Sequence, residues 1–169
     1  MTKTMSEAIE LVKSSAEHEV VGYESWEIPK IEKLYDIEVN RSLKEFLLAM
    51  GRCSGGSIGD ESVILYSNFF SIRSYISIQL QLIDELQNLK HFELVGLNPF
   101  LFAIEAETYY HFLLTKEEGE QFVYVFSEND DTVTKTRETF SSYIYRKAKW
   151  GIEFYLDQTI VCCGDLLRI

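Results

Sequence analysis

Eight carboxylates crowd residues 101–131 of this chain (Glu105, Glu107, Glu117, Glu118, Glu120, Glu128, Asp130 and Asp131) against one base, Lys116. Glu105 and Glu107 fall two apart on one strand face, and two carboxylates across a cleft are the machinery of glycoside hydrolysis. Glutamates on a sheet face and its turns are nevertheless mostly solvated surface, and a small hydrolase stays the weakest reading. Asp130-Asp131 lacks the alternating oxygen ligands and the sixth-position glycine of a calcium loop. His18, His91 and His111 are scattered with no H-x-x-x-H spacing, so they read as structural or exposed. No catalytic group, metal or cofactor is expected.

Cys53, Cys162 and Cys163 are odd in number, two are adjacent, and none makes a C-x-x-C pair. Reduced, partly buried thiols are therefore expected. Cys53 sits in Gly51-Arg52-Cys53-Ser54-Gly55-Gly56, a glycine turn of the kind on which nucleophiles ride. No base is near in sequence, G-x-S-x-G does not fit, and the Gly-Lys-Ser/Thr ending of a phosphate-cradling loop is missing. A helix stop followed by a turn explains these glycines.

The chain of 169 residues is 46% apolar and 14% aromatic, with formal net charge −11. It is therefore a folded chain, and its charge argues against direct binding of nucleic acid, which needs a cationic footprint. Complementary fields favour a basic protein partner instead. Residues 132–169 run the other way, with six bases and four acids. A tyrosine beside glutamates suits an interface anchor, so the expected partner surface is Glu105, Glu107, Tyr109, Glu117, Glu118 and Glu120. The N-terminus has no apolar core of a signal peptide, and the longest apolar run, near Phe122 to Phe126, is too short to span a bilayer. A cytoplasmic protein is expected, with no membrane contact.

These residues need elements to position them. Residues 6–16 read as a helix capped by Ser6, and Gly22 breaks the chain after it. Ile28, Ile31, Leu34 and Tyr35 then recur at helical spacing behind Pro29, and Leu43, Phe46, Leu47 and Met50 stripe a second helix stopped by Gly51. Trp26, Ile31, Tyr35, Phe46 and Leu47 are expected in the core. Ser57 to Asp60 reads as a turn and Val63 to Tyr66 as a short strand. Ile72 to Asn88 keeps helical spacing through Ile72, Tyr75, Ile76, Gln79, Leu80, Ile83 and Leu86. A meander follows: one strand with Phe100, Phe102, Ile104 and Ala106 opposite Leu101, Ala103, Glu105 and Glu107, then Tyr109 to Leu114, then Phe122 to Phe126. Thr136 or Arg137 opens the last helix, and 152–161 adds a strand or hairpin. The sum is α+β: an antiparallel or mixed sheet with helices packed on one side.

The run W-E-I-P-K-I-E-K-L-Y-D-I-E-V-N-R-S-L-K-E-F-L-L-A-M-G-R-C-S-G-G, Trp26 to Gly56, resembles the opening of the SUKH superfamily. That pattern is an apolar residue, Ile-Glu-x-x-Tyr, a Leu-Pro link, a Tyr/Phe-x-x-Phe-Leu helix, then Gly and Gly-Gly. Val39-Asn40 stands here in place of Leu-Pro. Thr139-Phe140-Ser141-Ser142-Tyr143-Ile144 is similar to the helix that closes the family's domain. The resemblance implies one domain over 1–169, with a family-like core of about 20–150 flanked by an N-terminal helix and a C-terminal extension. Its members include fungal cell-wall-synthesis regulators and many bacterial immunity proteins. It therefore implies a non-catalytic immunity protein that neutralises a polymorphic or contact-dependent toxin, a nuclease among the candidates, or alternatively a regulatory or scaffolding module.

Overall fold

Thr4, not Ser6, caps the first helix. Its hydroxyl accepts the Glu7 N–H while Glu7 takes back the Thr4 N–H at 2.8 Å. The reciprocal box needs a carboxylate three residues after the cap. Thr4 has one in Glu7, whereas Ser6 would meet Ile9. The computed structural model describes residues 2–58, 62–66, 72–154 and 163–168, without the side chains of Ile72 and Arg73.

The elements run α1 (Met5–Ser15), β1 (Val20–Val21), α2 (Ile28–Tyr35), α3 (Arg41–Met50), β2 (Cys53–Ser54), a 3-10 turn (Ile64–Tyr66), α4 (Ile72–Asn88) and α5 (Phe92–Val95). The meander β3 (Pro99–Glu105), β4 (Tyr109–Leu114), β5 (Phe122–Ser127) and β6 (Thr132–Thr139) then leads into α6 (Phe140–Phe154). The fold is α+β, as the sequence implied, with an antiparallel sheet in the order β3-β4-β5-β6 and a separate β1–β2 ribbon.

The two amphipathic helices form as their stripes dictate. Ile31, Phe46 and Leu47 are wholly buried and Tyr35 nearly so, its hydroxyl donating to the Leu166 carbonyl. Phe46 packs edge-on against Phe140 of α6 at 5.4 Å, and Phe140 against Phe102 of β3 at 5.0 Å. These rings join helices to sheet at the centre of one contiguous core. Trp26 does not join them. It is 62% exposed, because it precedes the helix and lies under the ammonium of Lys30, 4.2 Å from the ring centre.

Four further expectations change. Ile64–Tyr66 is a buried 3-10 turn, not a strand, since a short apolar run satisfies either geometry. Thr132–Thr139 is a strand rather than the start of the last helix, its four threonines and alternating pattern fitting a pleated edge. In α4, Tyr75, Gln79, Leu82 and Leu86 are buried and Leu80 points outward. In β3, the register slips between Leu101 and Ala103, so the period of two breaks there, and Phe102 and Glu105 both reach Tyr143 of α6. Ile152 to Phe154 continue α6, while the remainder of the expected strand or hairpin lies outside the described residues, as do Gly59 and Asp60 of the expected turn.

The free side of β3 is closed by α4. The Gln79 side-chain amide donates to the Leu101 carbonyl at 2.7 Å and accepts the Leu101 N–H at 2.8 Å, as a neighbouring strand would. Gly55 and Gly56 have φ of +64° and +89°, and a Cβ on Gly55 would stand 2.5 Å from the His18 carbonyl oxygen. The glycine turn therefore fits close backbone packing, with no phosphate or nucleophile role required.

The cysteine expectation is overturned. Cys53 is joined to Cys163 by a disulfide, their Cα atoms 4.5 Å apart across an isolated antiparallel bridge. Counting and spacing in sequence are blind to a pairing made by strand register 110 residues apart. Arg52 adds polar ties at the same place. It grips both Glu27 oxygens at 2.8 Å, stacks on Tyr23, lies 3.5 Å from Asp165 and accepts the Gly164 N–H on its carbonyl. Its guanidinium holds the Glu27 carboxyl below the usual range.

Candidate functional site

The six residues expected to form a partner surface are split between the two ends of the sheet. Glu105, Glu107 and Tyr109 flank the β3–β4 turn, and Glu117, Glu118 and Glu120 lie on the β4–β5 connection. Six-residue β4 separates them by roughly 17 Å at about 3.4 Å per residue. Glu107 also leaves the strand face it was expected to share with Glu105. It sits in the turn with φ of +62°, beside Ala106 at +48°.

At the first end the turn residues do come together with acids the sequence reading had not nominated. The Glu128 N–H donates to the Thr108 carbonyl at 3.0 Å, and the Asn129 amide to the Thr108 hydroxyl at 3.1 Å. The β3–β4 and β5–β6 turns are thus bonded to one another. Glu107, Glu128, Asp130 and Asp131 are exposed there, beside a Tyr109 that is 38% exposed. Tyr110 donates to Glu128 at 2.7 Å, and burial with that carboxylate pushes its phenol up to about 12. Ser127 donates to Asp130 at 3.2 Å. The signal for Glu128, Asp130 and Asp131 was present: two turns at the same end of an up-and-down meander must be neighbours.

At the second end Glu118 and Glu120 are exposed, but Glu117 is engaged. Its carboxylate accepts the Tyr124 hydroxyl and the Lys135 ammonium, both at 2.8 Å, and its carbonyl accepts Arg41.

Glu105 is likewise turned inward. One carboxylate oxygen accepts the Tyr143 hydroxyl and the Lys147 ammonium at 2.8 Å each, and the other lies 3.6 Å from His111 Nε2. Burial pushes the Glu105 carboxyl up, but the bonds from Lys147 and Tyr143 outweigh it and hold it below the ordinary range. Lys147, on α6, is 5% exposed. His111 is 9% exposed, and among the described residues neither ring nitrogen has a hydrogen-bond partner. Burial pulls its imidazole down, and the nearby cations Lys147 and Arg146 add to that against the pull of Glu105 and Glu138. The ion pair lets a lysine stay buried. Among the described residues no group of three or more His, Cys, Asp and Glu could hold a metal ion, and no helix is long and apolar enough to cross a membrane.

Paired amphipathic helices, a glycine turn and an antiparallel meander closed by a helix define a small α+β module presenting charged surfaces. The SMI1 / KNR4 family (SUKH-1) matches residues 23–146, from Tyr23 before the paired helices to Arg146 in α6, and the chain belongs to that family. No individual curated protein and no solved structure gives a significant match.

Proposed function

We propose that this chain is a non-catalytic immunity protein, one domain over 1–169, that acts in the cytoplasm by binding and neutralising a basic toxin domain. Family membership over 23–146 carries the reading. The acidic end supports it: four exposed carboxylates and a half-exposed tyrosine form a surface complementary to a cationic nucleic-acid site, and such fields accelerate encounter. Glu107 and Tyr109 are the contacts favoured at that end, joined by Glu128, Asp130 and Asp131. Glu118 and Glu120 form a second, smaller acidic patch. Glu105 and Glu117 act from within, by holding the turn and loop that present the others.

The test is growth of cells expressing the toxin domain encoded beside this chain's gene, with and without the chain. Rescue, with a complex that co-purifies, is expected. A complex that forms without altering toxicity would point to a regulatory or scaffolding module, and the absence of both would overturn the immunity reading.

A further inference from the structure

The segment Cys163 to Arg168 lies beyond the family-matched stretch 23–146 yet is fastened to it. The Gly164 N–H donates to the Arg52 carbonyl at 2.9 Å, and Asp165 lies 3.5 Å from the Arg52 guanidinium. The Leu166 N–H donates to the Tyr23 hydroxyl at 2.7 Å, its carbonyl accepts the Tyr35 hydroxyl at 2.9 Å, and its side chain is wholly buried. The fit is close: a Cβ on Gly164 would stand 2.0 Å from the Leu65 carbonyl oxygen. These ties fall on three consecutive residues, Gly164 to Leu166. Ordering a segment costs backbone entropy residue by residue, and each hydrogen bond returns little net stability. The Cys53–Cys163 bond sits at the head of the segment and removes much of that cost by holding it beside β2. Cys53 is 3% exposed, whereas Cys163 is only half-buried, so Cys163 is the sulfur a reductant reaches first.

We propose that Cys53 and Cys163 form a thiol–disulfide latch. Oxidised, it fastens residues 163–168 against β2, Tyr35 of α2 and the 3-10 turn; reduced, it frees them while the family-matched module stays folded. Reduction runs by exchange. A thiolate of a cellular dithiol attacks Cys163 Sγ, and Cys53 leaves as a thiolate that takes a proton from water. The second thiolate of the dithiol then attacks the mixed disulfide, so the dithiol departs as a disulfide and Cys163 as a thiol. In the other direction the Cys163 thiolate attacks glutathione disulfide and releases one glutathione, and the Cys53 thiolate displaces the second. Freeing the segment uncovers the Tyr23 and Tyr35 hydroxyls and the seat of Leu166, surface that the closed form seals. Disulfides in a reducing cytoplasm are usually transient or redox-sensing. On the cytoplasmic placement proposed above, the latch therefore rests open and closes under disulfide stress. It does not depend on toxin binding.

The experiment equilibrates the full chain in buffers running from glutathione disulfide through reduced glutathione to dithiothreitol. Samples are quenched in acid, alkylated and read by peptide mass, and amide hydrogen exchange is followed in the same buffers. The Cys53–Cys163 bond should form and break reversibly across the series. Reduction should speed exchange at Gly164 and Leu166 about hundredfold, while amides of α3 and β4 change by less than about threefold. Cys163→Ser should show the fast exchange even in the oxidised buffer, and Cys162→Ser should keep the transition. Should Cys163→Ser fail to fold, the reduced wild type gives the same reading. The latch is overturned if the pair stays reduced in glutathione disulfide, if dithiothreitol leaves the bond intact in the folded chain, or if Cys53 pairs with Cys162 instead. It is equally overturned if reduction leaves exchange at Gly164 and Leu166 unchanged. Exchange in α3 and β4 that quickens as much would also overturn it, by making the bond a brace of the whole fold.

Discussion

His111 is the residue whose environment is least explained by packing alone. Its ring is buried against Tyr143 at 5.4 Å, its two nitrogens without a hydrogen bond among the described residues, near Glu105 from β3, Lys147 and Arg146 from α6, and Glu138 from β6. Burial lowers its affinity for a proton below the ordinary value of 6.5. Between that value and the depressed folded one, the unfolded chain binds more protons, so this contribution is fully present above 6.5 and is lost as pH falls through the window. Glu105, held below its ordinary 4.5, has the same sign in more acid solution. Melting midpoints of the wild type should therefore decline from pH 7 to 5, and His111→Phe should flatten the decline. The substitution should also leave stability at pH 7 equal or higher, since two buried unsatisfied nitrogens are removed. A decline as steep in the variant would assign it to other groups. None of this was legible in the sequence, where His111 was one histidine among three. Its surroundings are set by Tyr143 and Lys147, more than thirty residues away.

At the scale of elements, period and local chemistry carried far. The stripe of α3, the proline near the start of α2 and the apolar runs of β3 to β5 each specify their element without help from elsewhere. Where the reading failed, the deciding partner was remote. Val63 to Tyr66 pairs with no strand among the described residues; instead Ile64–Tyr66 forms a 3-10 turn whose Tyr66 hydroxyl donates to the Met50 carbonyl at 2.8 Å. The slip near Phe102 reverses the faces of a strand whose buried stretch is apolar on both sides, so no polar residue betrayed it. Cys53 meets Cys163 only because the C-terminal segment returns to β2. Gln79, read as one position of a helical stripe, proves to be a substitute for a missing β neighbour. Gln79→Ala should leave a buried N–H and C=O of Leu101 unsatisfied and cost about 1–3 kcal/mol in denaturant melts. A loss under about 0.5 kcal/mol would mean that α4 closes this edge by packing alone.

Across the whole molecule, charge is sorted rather than spread. The sequence showed a negative stretch and a positive tail, but a linear count cannot tell a solvated carboxylate from one inside an ion pair. Glu105 and Glu117 serve as internal braces, while Glu107, Glu128, Asp130 and Asp131 are gathered by two turns that lie about twenty residues apart in sequence. This changes which reversal tests steering by the acidic end. Glu105→Lys would set a second ammonium against Lys147 and destabilise the fold, so loss of binding by that variant would carry no information about the interface. Glu107 and Asp131 are exposed, and neither has a basic partner among the described residues. Both already hold left-handed backbone, φ +62° and +51°, and replacing one non-glycine side chain by another leaves that strain in place. Glu107→Lys with Asp131→Lys should therefore leave the melting midpoint nearly unchanged. Against a basic toxin domain, association of the wild type should slow steeply between low and physiological salt, where the screening length falls to about 8 Å. The double reversal should associate about tenfold more slowly at low salt and lose most of the salt dependence. Equal rates for both proteins at both salt concentrations would remove steering by this end of the sheet while leaving family membership untouched.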